Sequence, residues 1–169
     1  MHMALAKEQS RPVAEVSIRQ FQAGDAAAFR RLNEEWITRF FRIEPKEELI
    51  LADPQRTIIE AGGRIFFATA GDRCVGCCAL IRLKDKQFEV AKMAVEPSYQ
   101  GAGIGRRLLV AAIEEGRTAG AHRLYLETNH VLTPAIRLYE SVGFKHIEAD
   151  RIIPSAYARA DVYMELILG

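Results

Sequence analysis

The stretch from Phe88 to Thr128 limits the folds open to this chain more than any other segment. Residues 88–95 read as a strand, Pro97 ends it, and a glycine-rich loop opens a helix at about Ile104. Ile104, Leu108, Leu109, Ala112 and Ile113 fall on one stripe of that helix, with Arg106, Arg107, Glu114 and Arg117 elsewhere. Gly120 stops it, and residues 123–128 form the next strand. A strand–helix–strand crossover of this length makes its two strands parallel.

The flanking segments complete a mixed sheet. Upstream, residues 65–69, 74–83 and 88–95 form an antiparallel meander, turned at Gly71-Asp72 and at Lys84-Asp85-Lys86. Before it, residues 16–19 alternate like a short strand. Asp25 is placed to cap a helix carrying Phe29, Leu32, Trp36, Phe40 and Phe41, and residues 46–52 form a second helix stopped at Pro54. Downstream, residues 134–142 form a helix, residues 144–147 a strand, and residues 162–168 a strand that closes the sheet. The expected fold is α/β, a mixed and mostly antiparallel sheet with a central parallel pair and about four flanking helices.

At 169 residues and 49% hydrophobic content, residues 15–169 are expected to form one domain, with residues 1–14 disordered or poorly structured. Lysine and arginine number 23 against 22 aspartates and glutamates, so the formal charge is +1. That balance excludes a protein whose main work is neutralising a nucleic-acid backbone or an anionic membrane. Three cysteines make no disulfide framework, the longest apolar run is too short to span a bilayer, and no secretion signal opens the chain. A cytoplasmic protein is the expectation.

The chemistry is concentrated in Met93-Ala94-Val95-Glu96-Pro97-Ser98-Tyr99-Gln100-Gly101-Ala102-Gly103-Ile104-Gly105-Arg106-Arg107. A strand, a glycine-rich loop and a helix N-terminus in succession make an anion site, because unpaired amides converge where the helix dipole is positive. A dinucleotide fingerprint would need glycine in place of Arg106, and a Walker A loop would need Gly-Lys-Ser/Thr; both fail on spacing. Gln100-x-x-Gly103-x-Gly105 instead resembles the coenzyme A pyrophosphate loop of the GNAT superfamily of acyl-coenzyme A-dependent N-acyltransferases. Leu138-Tyr139-Glu140-Ser141-Val142-Gly143-Phe144 resembles that family's downstream Leu-Tyr-x-x-x-Gly-Phe element, and residues 88–95 resemble the strand before the loop. The likeness runs from about Val16 to the C-terminus. Leu126-Glu127-Thr128-Asn129 and Ala158-Arg159-Ala160-Asp161 resemble a branch also found fused to MarR-type regulators.

The resemblance implies acetyl transfer from acetyl-coenzyme A, as co-substrate and without a metal, to a small-molecule or peptide amine. It implies that the strand ending at Val95 splays from its parallel neighbour, so that main-chain groups of Met93, Ala94 and Val95 pair with the pantetheine arm as an added strand. An amide near Ala94 or Val95 would polarise the thioester carbonyl. Gln100, Gly101, Ala102, Gly103, Ile104, Gly105 and Arg106 would hold the phosphates, and Asn129 the pantetheine amides. Glu89, on an otherwise apolar strand, is the first candidate for the general base, and it reads equally as a glutamate at a solvated strand end. Glu127 is the second candidate, or a salt-bridge partner or substrate-orienting group. Tyr139 would protonate the departing thiolate.

Other signals are weaker. Cys74-x-x-Cys77-Cys78 has no second ligand pair and falls on a strand, and His122, His130 and His146 are scattered, so no metal is expected. Trp36, Phe40 and Phe41 read first as core; the resemblance, in which the first two helices shape the acceptor pocket, implies Trp36 or Arg42 in its lining. Glu44, Glu47, Glu48 and Asp53 either favour a cationic acceptor or form a solvated helix face. A non-catalytic acyl-coenzyme A sensor is the competing class, and a nucleotide-phosphate enzyme a third. Members of the family are often dimers, although no dimerisation motif is present here.

Overall fold

The computed structural model describes residues 15–169; the expectation for residues 1–14 lies outside the described residues. The chain folds as β1 (Val16–Gln20), α1 (Ala26–Phe40), α2 (Pro45–Ala52), β2 (Arg64–Ala70), β3 (Arg73–Arg82), β4 (Gln87–Val95), α3 (Ile104–Thr118), β5 (Arg123–Thr128), α4 (Thr133–Ser141), β6 (Lys145–His146) and β7 (Val162–Ile167). Short single turns of other helix types lie between them. The seven strands form one sheet in the order β1-β2-β3-β4-β5-β7-β6, antiparallel throughout except between β4 and β5.

Two cores sandwich this sheet. On one face the apolar stripe of α3, with Ile104, Leu108, Leu109 and Ala112, packs with Tyr139 of α4 onto Val75, Cys78, Phe88 and Val90. On the other, Phe29 and Leu32 of α1 and Leu51 of α2 cover Phe67, Cys77, Ala79 and Ala94. Cys74, Cys77 and Cys78 are free thiols buried in β3, where burial raises the pKa of each.

Three local expectations are corrected. Asp25 stands at the N-terminus of α1 but makes no capping bond; its carboxylate instead accepts from the Gln22 amide at 2.7 Å and pairs with Arg19 at 2.7 Å. Phe40, in phase with the buried stripe, is 53% exposed, because α1 ends there and runs past the core. The last strand does not close the edge: β7 inserts between β5 and β6, leaving the two-residue β6 outermost.

Two departures from regular pairing shape the centre. The β4–β5 ladder is only three pairs long, Gln87 with Arg123, Phe88 with Leu124 and Glu89 with Tyr125, after which the strands part. Meanwhile β4 carries a bulge against β3: Cys77 faces Ala94 and Ala79 faces Ala91, so one residue opposes two. Lys92 lies in the bulge with φ 53°, a left-handed value uncommon for a lysine. The bulge exchanges the two faces of β4. Before it Val90 packs toward α3, and after it Ala94 packs toward α1. Ala91 and Lys92 consequently point the same way as Glu89, into one cavity.

Candidate active site

The loop after β4 is built to receive an anion. Gly101 and Gly103 adopt φ 80° and 78°, and a Cβ on either would project into open space with nothing within 4 Å. Gly103 offers the helix no capping side chain, and the first bond of α3 runs from the Arg107 amide to the Gly103 carbonyl at 3.1 Å. The earlier amides of the helix therefore face outward, where the dipole favours negative charge. Gly105 brings the helix start against Leu138 of α4, where a Cβ would approach Leu138 Cδ2 to 3.4 Å. These open backbone surfaces fit a diphosphate.

The loop side chains do less than the backbone. Gln100 Nε2 donates to the Val95 carbonyl at 2.9 Å, closing the loop on itself, and Arg106 Nη1 donates to Ser141 Oγ at 2.9 Å, tying α3 to α4. Ala102 is half-buried against the α3 core, and Ile104 is buried within it.

Beyond Glu89 and Tyr125 the gap between β4 and β5 leaves strand edges without a ladder partner, so an extended chain of amides has somewhere to add. The Glu96 amide bonds Val75 on β3 at 2.8 Å. Because antiparallel pairing alternates, Val95 turns its own amide and carbonyl the other way, into the gap, and the bond from Gln100 to the Val95 carbonyl agrees. Of the two amides expected near the reacting carbonyl, Val95 is the one so placed. Met93 packs on the α3 side of the sheet. Asn129 lines the far wall of the gap, but its side chain is engaged locally: Nδ2 donates to the Arg159 carbonyl at 2.7 Å, and Oδ1 accepts from the Val131 amide at 2.9 Å.

Glu89 and Glu127 are brought together. Both line the cavity in the gap, and both line a second, wider cavity on the other side, toward Lys46, Arg123 and Ser155. Glu89 has no hydrogen bond or ion pair among the described residues, whereas Glu127 accepts from Ser155 Oγ at 2.6 Å and from Tyr125 Oη at 3.0 Å. Burial, with the charge of Glu127 adding to it, pushes the Glu89 carboxyl up to about 7. Tyr139 is 8% exposed, its ring edge-on to Phe144, and burial raises its phenol well above the ordinary range. Its hydroxyl has no partner among the described residues, and no fully buried side-chain polar atom there lacks one, so that hydroxyl meets open space.

The sequence did not reveal the cluster behind this pair. Glu47 of α2, fully buried, accepts from Lys92 Nζ at 2.7 Å and from both terminal guanidinium nitrogens of Arg159, with the Glu47–Arg159 contact at Nη1 measuring 2.9 Å. Burial raises the Glu47 carboxyl, but its bonds to Arg159 and the charge of Lys92 outweigh this and hold it below the ordinary range. Glu44 adds a second carboxylate to Arg159, and Tyr157 lies under both cations, its ring centroid 4.7 Å from Lys92 Nζ and 5.0 Å from the Arg159 guanidinium. The four acids expected on α2 thus divide: Glu47 and Glu44 hold Arg159, Glu48 holds Arg30 at 2.7 Å, and Asp53 bonds the Arg56 amide. They form neither an open acidic patch nor a uniformly solvated face. Trp36 lines the cavity; exposed Arg42 does not. One signal was available, since Lys92 falls in phase with Phe88 and Val90 on an apolar strand.

Among the described residues no group of His, Cys, Asp and Glu is arranged to hold a metal, and no helix is long and apolar enough to cross a membrane.

Comparison with known proteins gives consistent findings. A family model described as the acetyltransferase (GNAT) family matches residues 28–144, more than half of the chain. The uncharacterized N-acetyltransferase YvbK of Bacillus subtilis (strain 168) is 31% identical over 100 residues, covering 57% of this chain and 64% of that protein. Two further relatives are covered over 36% and 46% of their lengths, so the chain spans between about a third and two thirds of these first relatives. Among solved structures, an acetyltransferase of the GNAT family from Staphylococcus aureus Mu50 superposes with TM-score 0.83 at 19% identity, covering 91% of this chain and 99% of that one. A Bacillus subtilis acetyltransferase in complex with CoA superposes with TM-score 0.68 at 20% identity, covering 90% and 99%. At such identities these likenesses establish the fold.

Proposed function

The chain belongs to the acetyltransferase (GNAT) family, and on that premise we propose that it transfers an acetyl group from acetyl-coenzyme A to a primary amine by direct attack of the amine on the thioester. The observation that carries this reading is the placement of Glu89, a half-buried carboxylate with no hydrogen bond or ion pair among the described residues, where the β4–β5 ladder ends and two cavities meet.

The co-substrate supplies an electrophilic acyl carbon and a thiolate leaving group; the protein does the rest. The open amides at the start of α3, with Gly101 and Gly103, bind the diphosphate. The unpaired edge of β4 aligns the pantetheine arm, and the Val95 amide donates to the oxygen on which negative charge develops. Glu89 takes the proton of the incoming ammonium, whose ordinary pKa near 10 would otherwise leave it unreactive. The nitrogen–carbon bond then forms as the carbon–sulfur bond breaks; Tyr139, kept protonated by burial, gives its proton to sulfur and is restored by the second proton that the acylated nitrogen sheds, while the first passes from Glu89 to solvent. Glu127, both of whose oxygens already accept hydrogen bonds, orients the ammonium and keeps Glu89 proton-hungry.

The test is thiol release from acetyl-coenzyme A across a panel of amines, with Glu89→Gln and Tyr139→Phe beside the parent. Amine-stimulated release that Glu89→Gln abolishes supports the reading. Tight coenzyme A binding with no amine-stimulated release, unchanged in either variant, would point to a non-catalytic sensor instead.

A further inference from the structure

We propose that the acceptor is a cationic amine on an apolar or aromatic body, with no carboxylate on the carbon that bears the nitrogen. This rests on the function proposed above and specifies the substrate class of the same site. It follows from which charges facing the cavity are already spent. Two cations line it, Lys92 and Arg159, and both are matched from behind: Lys92 by Glu47, Arg159 by Glu47 and Glu44. Two carboxylates line it as well, Glu89 and Glu127, and neither forms an ion pair among the described residues. The net field offered to a ligand is therefore negative. An ammonium finds two carboxylates there, whereas a carboxylate beside it would meet those same groups with no free cation to receive it.

Apart from Thr128 and Asn129, the rest of the wall is apolar or aromatic. Trp36, Phe41, Tyr157 and Leu132 surround the carboxylates, so the body of the acceptor meets ring faces and a methyl-rich side chain. Such faces also favour a cation electrostatically, as the packing of Arg159 against Phe41 and Tyr157 already illustrates. Lys46, which has no ion pair among the described residues, lines the second cavity and sits 5.0 Å from the Tyr157 ring centroid, so an anionic group on the acceptor would be received in that second cavity rather than in the one that Lys92 and Arg159 line.

Matched pairs differing only by the carboxylate test this: phenethylamine against phenylalanine, and isopentylamine against leucine. Trp36 is the chain's single tryptophan and stands in the cavity wall, so its fluorescence reads occupancy independently of turnover. With the native chain saturated by coenzyme A, each decarboxylated member is expected to quench Trp36 with at least about tenfold lower Kd, and to show at least about tenfold higher kcat/KM with acetyl-coenzyme A. Amino acids bound or acetylated as well as their amines, or no quenching by any member, would overturn the proposal. Preferential quenching by the amines without acetylation would leave this proposal standing and overturn the proposed function; acetylation favouring the amino acids would do the reverse.

Discussion

Glu89 carries the most exposed consequence at the scale of single residues. Its carboxyl is raised by burial and by Glu127 to about 7, so the proposed base would work only above that pH. The pH profile of kcat/KM should rise through a limb near 7, and Glu89→Gln should lower kcat/KM about 100-fold or more and erase that limb, leaving only the titration of the amine. Stability should move the opposite way. A carboxyl raised in the folded state contributes stability that is complete below the ordinary value of 4.5 and is lost as pH rises through 7. Above pH 7, Glu89→Gln should therefore be more stable than the parent, by about 1–2 kcal/mol once the group's partial exposure is allowed for, as read by urea denaturation. Tyr139→Phe should cost about tenfold or less, because a thiolate with pKa near 8.5 leaves without much help. The sequence put Glu89 first and Glu127 second as candidates for the base, with Tyr139 as the acid, but it could not show what occupies Glu127. The hydroxyls that occupy Glu127 come from Ser155 and Tyr125, and the Ser155 bond links residues 28 positions apart.

Among the elements, what could be read from the sequence was local and what could not was long-range. The glycines, the amphipathic stripe of α3 and the parallel crossover are written within forty or so consecutive residues, and they fold as expected. The insertion of β7 between β5 and β6 depends on pairing between distant segments that no local pattern encodes. The bulge at Lys92 was equally hidden, since a lysine in a strand gives no sign of a left-handed φ. The clamp it serves showed only in the phase of Lys92 on an apolar strand, because its partners are distant: Lys92 and Arg159 reach Glu47 across 45 and 112 positions, fastening the segment before β7 to α2. Removing the shared carboxylate strands buried Lys92 and leaves Arg159 to Glu44 alone, so Glu47→Gln should cost about 3 kcal/mol at pH 7 in urea unfolding. Because the folded state holds Glu47 below its ordinary value, that contribution is present above about 4.5 and fades as pH falls through the folded-state value, so the gap between parent and variant should narrow in acid.

For the whole molecule, the sheet is a device for opening one seam. Strands β1 to β4 and β5 to β7 are each knitted continuously, and the three-pair ladder between β4 and β5 is the short join that lets the two parts diverge around a ligand. A ligand that fills the seam and the α3 N-terminus should stabilise the fold as a unit. Coenzyme A at about 100 times its Kd should add about 2.7 kcal/mol, raising Tm by roughly 5–10 °C, whereas ATP or GTP, which have no pantetheine arm for the seam, should shift it less. The most direct measurement is a crystal structure of the chain with coenzyme A. Its diphosphate is expected on the amides between Gly101 and Arg106, with the pantetheine lying between β4 and β5 beyond Glu89; ordered coenzyme A bound elsewhere, with that seam and loop left vacant, would contradict the assignment.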